Sequence, residues 1–217
     1  MRCGERWSAL RQIASDQFGV FTAHQARAHT VPSYELARMV ADGQLWRVRH
    51  GVYAFIDDLA NKHPYEDWAA QWLALCPDTE IGRRRTDPDV VISHQSAAEI
   101  LDLGTIVSHG LLHLSGPRRI RVRAANVHTH QCPVGTQGVD WELAEGLPVS
   151  TAARVIDDLT AAAVDGSHLG IAITDALERG LASAADLNAR LDRHARAWGS
   201  ASGNELAQRL MRSADHL

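Results

Sequence analysis

The sequence predicts an α+β fold, in which an N-terminal winged helix-turn-helix precedes a larger α+β domain with a small sheet and a helical C-terminal tail. Three observations lead there. Three short helical patterns come before the alternating segment "LWRVRHGVYAF" at residues 45–55, brief strand-like runs such as "VVI" and "LHLSG" occupy the middle of the chain, and from "LPVSTAARVIDDL" onward the periodicity is helical.

In "ERWSALRQIASDQFGV" the apolar residues Trp7, Leu10, Ile13 and Ala14 recur at helical spacing, and Gly19 ends the run. That is one amphipathic helix. In "FTAHQARAHT" the Thr22 hydroxyl is placed to cap a second, short helix, with Phe21 just before it to pack on the core. "VPSYELARMVADGQL" supplies Pro32 and Ser33 at a start, Leu36, Met39 and Val40 on one face, and Gly43 at a stop. Leu45, Trp46, Val48, Val52, Tyr53 and Phe55 favour strands, and Gly51 is the natural point of reversal. The segment is a hairpin whose tip carries Arg47, Arg49 and His50.

Helix, short helix, turn, helix and hairpin is the order of a winged helix-turn-helix, whose third helix enters the major groove. With Leu36, Met39 and Val40 turned inward, Ser33, Tyr34 and Arg38 remain to touch DNA from that helix. Arg47, Arg49 and His50 would hold the backbone or the minor groove from the wing. A protein-binding role for such a module is the competing reading.

The boundary is expected in the polar stretch "DDLANKHP", giving a DNA-binding domain over 1–56 and a second domain over 64–217. Residues 1–56 hold seven arginines against four acids, so with a net charge of -4 the rest of the chain carries -7. The two parts suit different partners: phosphate backbones for the first, a basic protein surface or plain solvent for the second. In the second part, Pro64 opens a helix lined by Tyr65, Trp68, Ala69, Trp72 and Leu75. "VVI" is a strand leading into the helix "SHQSAAEILDLG", where Ser96 and Glu99 have capping-box spacing. "LLHLSG", "RIRVR" and "NVHTH" read as three further strands, and Ser150 or Thr151 caps the first of the closing helices.

No apolar run approaches the roughly 20 residues that a membrane span needs, and residues 1–16 carry no apolar signal region. Cys3, Cys76 and Cys132 are odd in number and far apart. A cytoplasmic protein without disulfides or membrane contact is expected.

Over residues 9–55 the stretches "GVFTAHQA" and "LARMVADGQLWRVRHGVYAF" resemble the N-terminal winged helix of the AbiEi-type antitoxins of type IV toxin-antitoxin systems. "VVISHQSAAEILDLG", "LHLSGPRRIRVR" and "GLPVSTAARVIDDL" are more loosely similar to later landmarks of that family, including the mycobacterial MenA antitoxins. The resemblance extends to about residue 160; the last helices carry no signature. It implies an antitoxin with two partners: promoter DNA, bound to autoregulate the operon, and a cognate nucleotidyltransferase toxin, which the second domain neutralises.

Two alternatives stay open. One is an atypical protein kinase that inactivates the toxin by phosphorylation, needing ATP and magnesium where the binding reading needs no cofactor. The chain has no Walker loop and a single lysine, Lys62, so phosphates would be held by Arg83, Arg84 and Arg85 together with Arg119, Arg121 and Arg123. The other is a transcription factor with no toxin partner. Among metal candidates, His128, His130 and Cys132 in "HTHQC" share a strand face but lack a fourth ligand, and His109 and His113 lie in another segment, so no metal site is expected. His94 reads as packing a turn. Asp157 and Asp158 diverge by about 100° around their helix, so at most one would face a magnesium ion.

Overall fold

Leu10 and Ala14 are buried on the inner face of α1 (Cys3–Asp16), with Trp7 and Ile13 packed partly beside them. The computed structural model describes residues 3–57 and 63–214. After α1 the backbone reverses through Phe18 and Gly19, with φ of 66° and 77°. A strand the sequence reading lacked follows, β1 (Val20–Thr22), whose three residues are too few to show a period. The chain continues through α2 (Ala23–Ala28), α3 (Ser33–Ala41), β2 (Leu45–Arg49) and β3 (Val52–Phe55).

The six-residue α2 is held at its start by a full capping box: Thr22 Oγ1 accepts from Gln25 N at 3.2 Å, and Gln25 Oε1 accepts from Thr22 N at 2.8 Å. The three strands pair antiparallel in the order β1-β3-β2, with Val20 opposite Ala54 and Leu45 opposite Phe55. A bulge between Arg47 and Arg49 shifts the register at the end of β2. Helices and sheet enclose one core of Leu10, Ala14, Phe21, Ala26, Val31, Leu36, Leu45 and Phe55.

The chain divides into two compact units, Met1–Thr86 and Asp87–Leu217. The division falls later than the sequence boundary, which lies largely in residues outside those described. The reason is packing: α4 (Glu66–Leu75), expected to open the second domain, lies against β1, β2 and β3, with Trp68, Ala69 and Trp72 buried. α5 (Ile81–Thr86) closes the first unit. The added acids dilute its charge. The first unit holds eleven basic residues against ten acidic, and the second eleven against sixteen, so the separation of +3 and -7 becomes +1 and -5.

The second unit is built on a five-stranded sheet of order β6-β5-β4-β8-β7. Its elements run β4 (Val91–Ile92), α6 (His94–Ile100), β5 (Leu112–Gly116), β6 (Val127–Gln131), β7 (Trp141–Ala144) and β8 (Leu147–Ser150). β4 runs parallel to β8 and β5 parallel to β6, while the other pairs are antiparallel. The expected strand "RIRVR" is absent: residues 120–123 pair with no strand, although Ile120 and Val122 are half-buried between exposed arginines. In its place the sheet gains the hairpin β7–β8. Glu145 and Gly146, with φ of 52° and 74°, form the two-residue turn with both residues left-handed that such a hairpin favours.

The helical tail follows as α7 (Ala152–Ala161), α8 (Gly166–Glu178), α9 (Ala184–Ala195) and α10 (Gly203–Ala214). Two expected caps do other work. Thr151 stands at the start of α7, but its hydroxyl donates to Val139 O at 2.9 Å. Ser96 and Glu99 make no capping box, because α6 begins two residues earlier. Ser96 Oγ donates to Leu111 O and accepts from His113 N, both at 2.8 Å, while Glu99 accepts from Ser108. No described helix is long and apolar enough to cross a membrane.

Candidate functional site

On α3 the buried Leu36 faces the core while Tyr34, Ala37, Arg38 and Ala41 are exposed. Their spacing of i, i+3, i+4 and i+7 makes one continuous stripe. Tyr34 is 70% exposed, far more than an aromatic ring needs for folding. Ala37 and Ala41 on either side of Arg38 keep the stripe low, so a groove wall can approach the helix backbone. Ser33, also exposed, begins the helix, where backbone N–H groups favour an anion.

α3 packs on β2, which carries the wing residues. Trp46 is 56% exposed, and Arg47 and His50 are exposed beside it. Arg47 and His50 are tied to each other, Nη2 to Nδ1 at 2.7 Å. Arg49 differs: it is half-buried and donates from Nε to Asp67 O at 3.1 Å, so it also anchors the hairpin to α4. Two earlier arginines are structural. Arg6 pairs with Glu35 at 3.3 Å and donates to Thr30 O, and Arg11 lies 4.1 Å from the Phe55 ring centroid while bonding Asp57 at 2.7 Å. The exposed cations on this face are therefore fewer than the composition suggests. Trp46 was read from sequence only as a strand former. Its position next to the buried Leu45 was the available signal, since alternation sends it outward.

The two arginine runs fall in different units. Arg84 is buried, stacked 3.9 Å over Trp72 and bonded to Trp72 O at 2.7 Å, which commits its guanidinium to the interior. Arg83 is exposed and Arg85 half-buried near Phe18, where burial lowers its pKa. Arg119, Arg121 and Arg123 are exposed in the other unit. Asp157 and Asp158 are both engaged in ion pairs. Asp157, 1% exposed, accepts from Arg193 Nε and contacts His194 Nε2, each at 2.8 Å, and Asp158 accepts from Arg154 Nε at 2.9 Å. Neither is a free magnesium ligand.

The second unit collects histidines that the sequence leaves apart. His113 on β5 and His130 on β6 lie on adjacent parallel strands, with His113 opposite His128 and Ser115 opposite His130. These four side chains share one sheet face. His94, the first residue of α6, reaches it with its ring stacked 3.6 Å from that of His130. His113 Nδ1 lies 3.0 Å from His130 Nε2. His94 Nδ1 lies 3.0 Å from Ser93 Oγ, which accepts from Ser115 Oγ at 2.6 Å. Burial pushes the His94 pKa down to about 3 and that of His113 down to about 4, with their imidazole neighbours adding to the effect. Burial also lowers His130. All three are neutral near pH 7. Cys132 lies apart from them, with Arg154 Nη2 at 3.3 Å from its sulfur. No sequence period could have found this set, because strand register brings it together.

An exposed helix stripe and an aromatic, basic hairpin thus lie in one small unit. Residues 8–56 match the family described as "Transcriptional regulator, AbiEi antitoxin". The whole fold is similar to that of the RV2827C protein from Mycobacterium tuberculosis, known from a crystal structure. The similarity has a TM-score of 0.52 at 16% identity and covers 98% of this chain and 82% of that one. No curated protein matches the sequence.

Proposed function

We propose that the protein is a cytoplasmic antitoxin that represses its own promoter by placing α3 in the major groove and the β2–β3 hairpin against the flanking backbone. The observation that carries the reading is the exposed stripe of Tyr34, Ala37, Arg38 and Ala41 next to Trp46, Arg47 and His50. Arg38 suits a base edge or a phosphate, alanine methyls suit a thymine methyl, and Trp46 offers a flat apolar surface at the groove rim. The -5 charge of the second unit supports a basic protein partner, which in the AbiEi-type reading is a nucleotidyltransferase toxin.

Two measurements test this. In a gel shift with the DNA upstream of its own gene, the protein should bind with an affinity that falls steeply with salt, and Tyr34→Ala with Arg38→Ala should weaken binding at least about tenfold. Binding unaffected by that pair sinks the α3 assignment. Co-expression with the neighbouring gene should restore growth if that gene encodes the toxin. Incubating both proteins with ATP and magnesium then separates capture from covalent inactivation, since a gain of one phosphate on the toxin marks the second route.

A further inference from the structure

The ligand atoms of His94, His113 and His130 all lie within 4.8 Å of one another, in a unit whose proposed work as an acidic partner surface makes no use of them. We propose that these three imidazoles form a binding site for one divalent transition-metal ion of the zinc class. Three features of the geometry carry this.

The first is convergence with burial. His94 and His113 are only 7% and 8% exposed, and they come from the first residue of a helix and from a strand that meet only in the fold. The second is backbone strain. His94 has φ of 52°. Of the other non-glycine residues in the left-handed region, Phe18, Thr30, Asp102 and Ala163 each fall two residues past the end of a helix, where that conformation ends helices routinely, and His109 and Glu145 lie in turns. His94 instead begins a helix. That strained conformation is retained there, and it turns the imidazole onto the sheet. The third is orientation. The chain Ser115–Ser93–His94 Nδ1 fixes the His94 ring and leaves Nε2 for an ion, which is the support a ligating histidine requires.

The donor set selects the ion. Imidazole nitrogens without carboxylates suit zinc, cobalt, nickel or copper and not magnesium or calcium. A tetrahedral ion with bonds of about 2.1 Å needs nitrogens roughly 3.4 Å apart and lies in the plane of each ring, so His130, stacked nearly parallel on His94 at 3.6 Å, must rotate out of that stack to share it. The ion would replace the hydrogen bond between His113 and His130. Three protein ligands leave one coordination position for water or another donor. His128, which is exposed and not among the three with converging ligand atoms, and Cys132, directed to Arg154, stand outside the set.

The test uses the full chain, stripped with a chelator and titrated with cobalt(II) by absorbance and zinc(II) by competition. One ion per chain is expected. Zinc should shift the ring nitrogen signals of His94, His113 and His130 in imidazole ¹⁵N spectra of the unaltered protein. His113→Ala and His130→Ala should each weaken binding at least about 100-fold, while His128→Ala and Cys132→Ser stay within about threefold. If the alanine variants do not fold, the spectra of the unaltered protein decide alone. Absence of a stoichiometric ion, shifts confined to other histidines, or unchanged affinity in folded His113→Ala overturns the site.

Discussion

Arg84 lies flat over Trp72, its guanidinium carbon 3.9 Å from the ring centroid, and donates to the carbonyl of the same residue at 2.7 Å. A buried cation is held here by a ring face and a helix-end carbonyl, joining α5 to α4. Replacing Arg84 with Lys keeps the charge but loses the planar stack, and should cost about 2 kcal/mol of unfolding free energy. Arg83→Ala, on an exposed neighbour, should change stability by less than about 0.5 kcal/mol. Urea denaturation followed by tryptophan fluorescence measures both. Equal effects would return Arg84 to the surface role that sequence suggests.

Arg47 and Arg49 sit two residues apart, yet the bulge between them gives them different tasks. Arg47→Ala should reduce the slope of log affinity against log salt by about 0.9, the loss of one phosphate contact, with stability unchanged. Arg49→Ala removes the bond to Asp67 O, so it should lower stability by about 0.5–1.5 kcal/mol and weaken DNA binding less than Arg47→Ala does. Salt-dependent anisotropy titrations beside thermal melts distinguish the two. Matching losses of DNA affinity with no loss of stability would remove the anchoring role of Arg49.

These contrasts show where sequence was informative. Local chemistry was legible: the Thr22 hydroxyl cap, the inward Leu36, the reversal at Gly51 and the solvent side of Arg38 all follow from residues within a turn or two of each other. What depended on distant packing was not. Trp68 and Trp72 mark a buried helix face, but nothing in their spacing says that the face covers the N-terminal sheet, and so joins α4 to the first unit. The histidine set was hidden for the same reason. His94, His113 and His130 become neighbours only through the pairing of β4 with β5 and of β5 with β6.

Asp157 is 1% exposed and is met by Arg193 and His194 from α9, with Arg190 at 3.9 Å, while Arg193 itself is 61% exposed. That asymmetry makes the two ends of the pair unequal. Asp157→Ala strips a buried centre of its counter-charge and should cost about 3 kcal/mol, whereas Arg193→Ala removes an arm that water can replace and should cost less than about 1 kcal/mol. Unfolding free energies of the two variants check this. A loss as large for Arg193 as for Asp157 would show that the pair acts as a single buried unit.

Gly170 on α8 and the Leu210 carbonyl on α10 touch so closely that a Cβ at position 170 would run into that backbone oxygen. Gly203, at the start of α10, meets the Asn188 carbonyl of α9 in the same way. The tail therefore packs backbone to backbone at two points, and no side-chain rotation can relieve an added methyl. Alanine favours a helix over glycine by about 1 kcal/mol, but overpacking against a fixed backbone costs about 1–3 kcal/mol or more. Gly170→Ala should thus lower stability by about 2 kcal/mol net. Gly4→Ala, with nothing within 4 Å of its new methyl, should be neutral or slightly stabilising. If Gly170→Ala melted with or above the unaltered protein, α8 and α10 would have to lie further apart than they do here.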